Sequence, residues 1–197
     1  MKDPVQPEKM VLASTSSRRS SLLHESGYRF EVVEPGILEP TAVQGHVDPV
    51  FHAESLAYFK ASSVAGLCRD TTVLAADTIA VIDGDIIGKP ADRDDALRIL
   101  QRLSNTTHRV VTGVALLAPA EHRRLLQHDV SVLRLRQLAD SEIEEYLDTD
   151  AWIGKAGAYG VQDHGDKFVE EIEGSFSNVI GLPMELLGRM LEQWQRE

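Results

Sequence analysis

An aspartate–threonine pair inside a long apolar segment is the pattern with the clearest chemical meaning. The segment from Val73 to Pro90 reads VLAADTIAVIDGDIIGKP, and Asp77 and Thr78 interrupt its apolar run. Asp83 followed by Gly84 is typical of a two-residue hairpin turn, so two antiparallel strands are predicted. A carboxylate among apolar residues is costly unless it has a partner. Asp77 is therefore a candidate functional group, although for an isolated Asp a bond to a nearby backbone N–H is the simpler explanation.

A second polar group stands between a predicted strand and a predicted helix. Residues 12–23 read LASTSSRRSSLL. A strand that enters a helix through such a turn presents unpaired backbone N–H groups to an anion. Ser14 and Ser16 can add hydroxyl donors, and Arg18 and Arg19 can grip phosphate oxygens with their guanidinium groups. Taken alone, the stretch is explained more simply by serine capping and two surface arginines.

Three further charged residues can complete a phosphate-cleaving site around Asp77. Glu39 lies in a predicted loop, Lys60 on a predicted helix, and Lys89 after the second strand of the hairpin. Phosphoanhydride hydrolysis needs a carboxylate to hold a divalent cation or activate water, and cations to neutralise the developing charge. Oxygen ligands of this kind suit Mg²⁺ or Mn²⁺. Each residue alone is also explained as an ordinary solvated side chain.

The segment Lys155–Gln162, with the sequence KAGAYGVQ, combines small residues with a long amide side chain. Small residues on both sides of Tyr159 let a ligand or another backbone come close. Gln162 offers both a donor and an acceptor, which suits the edge of a nucleobase. The structural alternative is a Gly-rich strand packed against a helix, with Gln162 at the surface.

The composition limits the possible partners. The chain of 197 residues has a formal net charge of −11, which argues against a nucleic-acid-binding surface because phosphate backbones need concentrated Lys and Arg. A small phosphate ligand needs only a few local cations or a metal. The single cysteine excludes internal disulfides, and no segment has the character of a signal peptide or a membrane span. We expect a cytoplasmic protein without a membrane partner, with a flexible tail over residues 1–9 and a single domain over 10–197.

The apolar patterns predict an α/β fold. Helical patterns alternate with short apolar segments, but hairpins lie between them, so we expect a mixed sheet with flanking helices. Asp48 followed by Pro49 predicts a helix start. Residues 125–136 predict a strand with a bulge at 132–133, where the alternation breaks. Residues 174–181 predict a loop with a short strand.

Six motifs, in this order, resemble those of the Maf family of nucleoside triphosphate pyrophosphatases. Any one of them is weak evidence, but six in the right order are specific, and they extend over nearly all of the chain from Met10 onwards. The motifs are LASTSSRR (12–19), LAYFKA (56–61), AADT (75–78) with GKP (88–90), HRVVTGV (108–114), KAGAYGVQ (155–162) and GSFSNVIGLP (174–183).

The resemblance implies a fold and an activity. The fold is related to that of the inosine triphosphate pyrophosphatases, with a mixed twisted sheet, flanking helices and two lobes around a cleft. The implied reaction is metal-dependent hydrolysis of a nucleoside triphosphate between its α and β phosphates, which gives the monophosphate and pyrophosphate. The implied cofactor is Mg²⁺ or Mn²⁺, and the implied assembly is a homodimer.

The resemblance also assigns roles to individual residues. The catalytic aspartate of the family corresponds to Asp77, which takes a proton from the attacking water or positions the metal. Glu39 helps Asp77 to hold that metal. Binding of the substrate is assigned to the side chains already described as anion-binding candidates, which are Ser14, Ser16, Arg19, Lys60 and Lys89.

Three positions bear on the choice of base. The branch of the family that acts on dTTP and UTP has Arg, Thr and Gln there, and this chain has Arg18, Thr78 and Gln162. The resemblance therefore implies hydrolysis of dTTP, UTP and modified pyrimidine triphosphates. Two alternatives stay open: a 7-methyl-GTP pyrophosphatase on the same scaffold, and a non-enzymatic nucleotide-binding regulator of cell division.

Overall fold

A mixed sheet forms the centre of the molecule. The computed structural model describes residues 4–37, 47–162 and 165–196. Within these residues, seven strands are arranged in the order β2-β1-β3-β5-β6-β7, and β4 pairs with β3. The strands are β1 (Met10–Ala13), β2 (Glu31–Val33), β3 (Thr72–Ile82), β4 (Asp85–Ile87), β5 (Thr107–Ala118), β6 (Arg123–Leu135) and β7 (Val169–Glu173). The helices are α1 (Ser17–Glu25), α2 (Pro49–Ala65), α3 (Arg93–Leu103), α4 (Asp140–Leu147), α5 (Phe176–Ile180) and α6 (Met184–Arg196).

The strand pairing confirms the predicted mixed sheet with flanking helices. Strand β1 pairs in parallel with β2 and with β3. The pairs β3–β4, β3–β5, β5–β6 and β6–β7 are antiparallel. Parallel neighbours need a crossover connection, and α1 and α2 supply the two crossovers here.

The predicted hairpin and the predicted start of α2 are both present. Asp83 and Gly84 have φ angles of 53° and 87°, as a type I′ turn between β3 and β4 requires. Asp48 caps α2, since its carboxylate accepts the backbone N–H of Phe51 at 2.9 Å. Pro49 occupies the first helical position, where no intrahelical N–H bond is lost.

Apolar side chains cover both faces of the central strand β3. On one face, Leu74 belongs to a buried cluster that includes Leu187 of α6. On the other face, Ala75 belongs to a cluster that includes Ala57 of α2. Successive strand residues point to opposite faces, so a strand covered on both sides needs an unbroken apolar run. This explains the continuous apolar residues that lead to Asp77.

Helix α2 approaches strand β5 closely at Gly113. A Cβ atom on Gly113 would lie 2.4 Å from backbone atoms of Ala53, so this contact needs a glycine. Gly113 is the register partner of Asp77 on β3. Lys60 lies about two turns after Ala53 and therefore on the same face of the helix. The close approach thus brings the side chain of Lys60 over the middle of β3.

Two segments differ from the sequence prediction. The irregularity in β6 lies between Arg134 and Leu135, at the junction with β7, and the predicted position at 132–133 is wrong. Residues 174–181 contain the helix α5, and the predicted short strand is wrong. Ser175 starts this helix because its hydroxyl accepts the backbone N–H of Asn178 at 3.2 Å.

The segment Lys155–Gln162 does not form the Gly-rich strand that was the structural alternative. It contains a single 3₁₀ turn at Ala156–Ala158 and otherwise follows an irregular path. Gly157 and Ala158 have φ angles of 76° and 60°, which are incompatible with an extended strand. A residue distant in sequence holds the turn in place, since Gly157 donates its N–H to the carbonyl of Gly88 at 3.2 Å.

The residues before β1 have no regular secondary structure over 4–9. Gln6 nevertheless accepts the backbone N–H of Arg29 at 2.9 Å and donates to its carbonyl at 3.3 Å. The flexibility of residues 1–9 and the single domain over 10–197 stay predictions. Among the helices of the described residues, none combines the length and apolar character that a membrane span requires.

Candidate active site

A cleft with a volume of about 380 Å³ opens beside the N-terminus of α1, the middle of β3 and the segment 154–162. It brings together nine of the side chains that the sequence singled out. Glu39 lies outside the described residues. The nine are Ser14, Ser16, Arg18, Arg19, Lys60, Asp77, Thr78, Lys89 and Gln162.

Asp77 and Lys60 form a buried ion pair in this cleft. Lys60 Nζ lies 2.5 Å from Asp77 Oδ1, and the side chains of Lys60 and Asp77 are 6% and 7% exposed, respectively. Burying either charge alone would be costly, so each group offsets the lost hydration of the other. The ion pair uses one carboxylate oxygen, which leaves Oδ2 for a further ligand. The sequence placed Lys60 among the phosphate-binding residues, whereas its contact here is with the carboxylate.

The turn between β1 and α1 offers several groups that can bind an anion. Ser14 Oγ accepts the N–H of Ser16 at 3.1 Å, and Ser16 Oγ accepts the N–H of Arg19 at 3.5 Å. Each hydroxyl acts as an acceptor in these bonds and keeps a proton that it can donate. The first N–H groups of α1 have no acceptor within the helix, and the helix dipole adds partial positive charge. The turn is therefore suited to a phosphate.

Arg19 is buried, and three separate parts of the chain hold its guanidinium. Nε donates to the carbonyl of Gly181 at 2.7 Å, Nη1 to Ser14 Oγ at 3.3 Å, and Nη2 to Thr78 Oγ1 at 3.1 Å. These acceptors belong to the end of α5, the turn after β1 and the middle of β3. They give the guanidinium a fixed orientation at the edge of the cleft.

Gly181 contributes to the site but was not predicted to do so. Its φ angle is +123°, and a Cβ atom there would lie 3.3 Å from Thr78 Oγ1 and 3.5 Å from Arg19 Nε. The sequence predicted only a loop with a short strand over residues 174–181. The sequence shows a glycine at position 181, but its position beside Arg19 could not be predicted because it depends on how α5 packs on the sheet.

The cleft has a strong excess of positive charge. Among the described residues that line it, five are cationic and one is acidic. Lys155 is the one cation that the sequence did not propose; it is 8% exposed and donates to the carbonyl of Ala151. The excess contrasts with the chain's net charge of −11 and suits a compact polyanion. The cations are Arg18, Arg19, Lys60, Lys89 and Lys155, and the acid is Asp77.

A family model described as Maf-like protein matches residues 9–194. This chain belongs to the Maf family. It is 40% identical over 184 residues to the dTTP/UTP pyrophosphatase of Ruminiclostridium cellulolyticum. The matched residues cover 93% of this chain and 95% of the relative. It is also 41% identical over 185 residues to the dTTP/UTP pyrophosphatase of Aquifex aeolicus. Here the matched residues cover 94% of this chain and 95% of the relative.

The fold of this Maf chain is similar to a solved structure of the Ham1 protein from Staphylococcus aureus. The TM-score is 0.51 at 13% sequence identity, and the match covers 94% of this chain and 99% of the other. At this low identity the similarity concerns the fold alone. It agrees with the expected fold class, in which helices flank a mixed twisted sheet.

Among the described residues that line the Maf cleft, Asp77 is the one carboxylate that could hold a divalent metal together with a substrate. No group of three or more His, Cys, Asp or Glu side chains suited to a metal occurs among residues 4–37, 47–162 and 165–196. Mg²⁺ is often held by one or two carboxylates together with substrate phosphates, and Asp77 can supply one such carboxylate. The other predicted ligand, Glu39, lies outside the described residues.

A buried neutral pair supports one wall of the cleft. Tyr159 lines the cleft, and its hydroxyl lies 2.8 Å from His108 Nε2, with the two rings in an edge-to-face arrangement. Burial lowers the pKa of His108 to about 4 and raises the pKa of Tyr159. Both side chains are therefore uncharged near neutral pH. The exposed Gln162 lies three residues after Tyr159, beyond Gly160 and Val161.

Proposed function

We propose that this Maf protein is a nucleoside triphosphate pyrophosphatase that hydrolyses dTTP and UTP to the monophosphate and pyrophosphate. The observation that carries the proposal is the carboxylate of Asp77, ion-paired with Lys60 at 2.5 Å in a cleft lined mainly by cations. The names of the two relatives, both dTTP/UTP pyrophosphatases, support the same activity.

Substrate phosphates bind along the turn between β1 and α1. Ser14 and Ser16 donate their hydroxyl protons, and the N-terminus of α1 adds backbone N–H groups. Arg19 faces the phosphates from a fixed position, so little of its conformational entropy is lost on binding. Lys89, which is exposed at the rim of the cleft, adds charge that approaches the leaving phosphates.

Asp77 acts on the water that attacks the α phosphorus. Its carboxylate accepts a proton from that water as the new P–O bond forms, and the bond between the α phosphorus and the oxygen leading to the β phosphorus breaks. Lys60 holds the carboxylate in place, and the other cations stabilise the negative charge that develops on the phosphates. A Mg²⁺ or Mn²⁺ ion held by Asp77 and Glu39 would withdraw charge from the phosphate oxygens.

Recognition of the base is assigned to Arg18, Thr78 and Gln162. All three line the cleft, and Gln162 offers an amide donor and an acceptor that match the edge of uracil or thymine. Modified pyrimidines that keep this edge fit the same recognition. We further propose that the protein works in the cytoplasm as a homodimer.

A nucleotide panel tests this proposal. The purified protein is incubated with Mg²⁺ or Mn²⁺ and each of dTTP, UTP, the other common triphosphates and 7-methyl-GTP, and the phosphate product is identified. We expect pyrophosphate from dTTP and UTP in preference to the rest. Preference for 7-methyl-GTP would contradict the pyrimidine assignment, and release of orthophosphate would contradict the assigned bond. No release from any nucleotide would favour a non-enzymatic regulator.

A further inference from the structure

We propose that Thr112 is a positioning residue for this site: its buried hydroxyl orients the hydroxyl of Thr78, which in turn holds the guanidinium of Arg19 where substrate phosphates bind. The inference rests on the proposed function. Thr112 lies in the middle of β5, is fully buried, and is not among the residues that line the cleft in the described structure. Any effect of its hydroxyl on the substrate must therefore pass through a neighbour.

A continuous row of hydrogen bonds connects Arg19 to the backbone of α5. Arg19 Nη2 lies 3.1 Å from Thr78 Oγ1, and Thr78 Oγ1 lies 2.9 Å from Thr112 Oγ1. Thr112 Oγ1 lies 3.1 Å from the carbonyl oxygen of Asn178. The two threonines are direct register partners on β3 and β5, which explains why their side chains meet.

The chemistry of the two ends fixes the direction of every bond in this row. A guanidinium can only donate, and a carbonyl oxygen can only accept. Thr112 therefore gives its single proton to the carbonyl of Asn178 and accepts from Thr78. Thr78 gives its single proton to Thr112 and accepts from Arg19.

This direction changes how Thr78 can act on a nucleotide. Its one hydroxyl proton is committed to Thr112, so Thr78 has none left to donate to a base carbonyl. Thr78 acts on the cleft by accepting a hydrogen bond from Arg19 Nη2, and this bond orients the guanidinium. For the proposed recognition of the base, Thr78 keeps only its acceptor capacity and its methyl group. It also influences phosphate binding through Arg19, and this effect depends on Thr112.

The carbonyl of Gly181 also restrains Arg19 and lies close to Thr78. The carbonyl of Gly181 accepts from Arg19 Nε at 2.7 Å and lies 3.4 Å from Thr78 Oγ1. Without the hydroxyl of Thr112, Thr78 would turn its proton to this carbonyl. Thr78 would then compete with Arg19 for one acceptor, and the guanidinium would lose part of its fixed orientation.

Thr112→Val tests the inference because it removes the hydroxyl and keeps the shape, whereas Thr112→Ser keeps the hydroxyl. Thr106→Val is the matched control, since it removes a hydroxyl bond to the Leu103 carbonyl at 2.7 Å outside the cleft. Affinity is measured by calorimetry for inorganic tripolyphosphate and for a non-hydrolysable UTP analogue. These binding measurements do not depend on turnover, so they remain informative if the wild-type protein proves inactive in the nucleotide panel.

We expect Thr112→Val to weaken both ligands by the same factor, roughly five- to tenfold for one lost hydrogen bond. Thr112→Ser and Thr106→Val should stay near wild type. The double variant Thr78→Val/Thr112→Val should be no weaker than Thr78→Val alone, because both changes break one row. Unchanged affinity of a folded Thr112→Val protein, a loss confined to the UTP analogue, or additive losses in the double variant would each overturn the inference.

Discussion

At the scale of single residues, the ion pair of Asp77 and Lys60 combines a chemical role with a structural one. The carboxylate is the proposed base, and it is also the buried counter-charge of the ammonium group. A substitution that removes one charge therefore changes both reactivity and stability. The two effects need to be separated experimentally.

We predict that Asp77→Asn lowers kcat by about 10²- to 10⁴-fold, the usual contribution of a general base. It also removes the buried counter-charge that Asp77 provides to the ammonium of Lys60, and breaking a buried ion pair costs roughly 3–5 kcal/mol of stability. Steady-state kinetics and urea unfolding measure the two changes. Nucleotide binding should persist, because the groups at α1 that we propose to bind phosphate are untouched.

The double variant Asp77→Asn/Lys60→Met serves as the control for this prediction. It removes both charges, so we expect it to recover most of the lost stability while it stays inactive. Activity near the wild-type level in Asp77→Asn would refute the assignment of the base. Recovery of activity in the double variant would show instead that the single variant fails only because it is unstable.

At the scale of secondary-structure elements, the contact between α2 and β5 sets the position of Lys60. The helix can lie this close to the sheet because Gly113 has no side chain. Any group added there must push α2 away from the strand. Since Lys60 belongs to α2, such a shift also moves its ammonium relative to Asp77.

We predict that Gly113→Ala destabilises the fold by about 1–3 kcal/mol through overpacking and also lowers activity. Gly188→Ala in α6 is the matched control, because a Cβ atom there meets no atom within 4 Å. The control should gain about 0.5–1 kcal/mol from its better helix propensity. Thermal unfolding and kinetics measure both variants. Equal stability of the two variants would contradict the proposed close contact.

Much of the element pattern was predictable because its signals are local. Asp83-Gly84 marked the hairpin, and Asp48-Pro49 marked the start of α2, since turn and cap chemistry depend on neighbouring residues. Helix α5, at five residues, is too short to show a helical period. The turn at Gly157 and Ala158 was missed because a contact with Gly88, distant in sequence, fixes it.

The site was predictable as a set of residue types but not as a geometry. The motifs brought Asp77, Lys60 and Arg19 into one hypothesis. They did not show that Lys60 pairs with Asp77, because that contact depends on the close packing of α2 on the sheet. They also did not identify Thr112 or Gly181, whose roles arise from strand register and from the packing of α5.

At the scale of the whole molecule, the uncharged pair of His108 and Tyr159 links stability to pH. His108 is 2% exposed, and its Nδ1 has no hydrogen-bond partner in the described structure. Its pKa falls from 6.5 to about 4 in the folded protein because burial disfavours the charged form. The unfolded chain therefore binds a proton first as the pH falls.

We predict that this histidine removes stability as the pH falls from about 6.5 towards 4, by roughly 3 kcal/mol in total. His108→Gln cannot titrate and can still hydrogen-bond to Tyr159, so its stability should change less over this range. Urea unfolding at several pH values measures the difference. Parallel pH profiles of wild type and His108→Gln would contradict the prediction.

Glu142 affects stability over a different pH range. A hydrogen bond from Arg136 lowers the pKa of Glu142 from 4.5 to about 2, so its contribution to stability is lost only at lower pH.

The bond from Arg19 to Gly181 joins residues 162 positions apart, and this separation has a consequence for protein synthesis. A ribosome makes the β1–α1 segment well before it makes Gly181. Until the later segment has left the exit tunnel and packed on the sheet, the guanidinium of Arg19 lacks its bond to Gly181. A growing chain therefore lacks this part of the proposed nucleotide site until Gly181 has been made and packed, and we expect that bound nucleotide cannot guide the earlier steps of its folding.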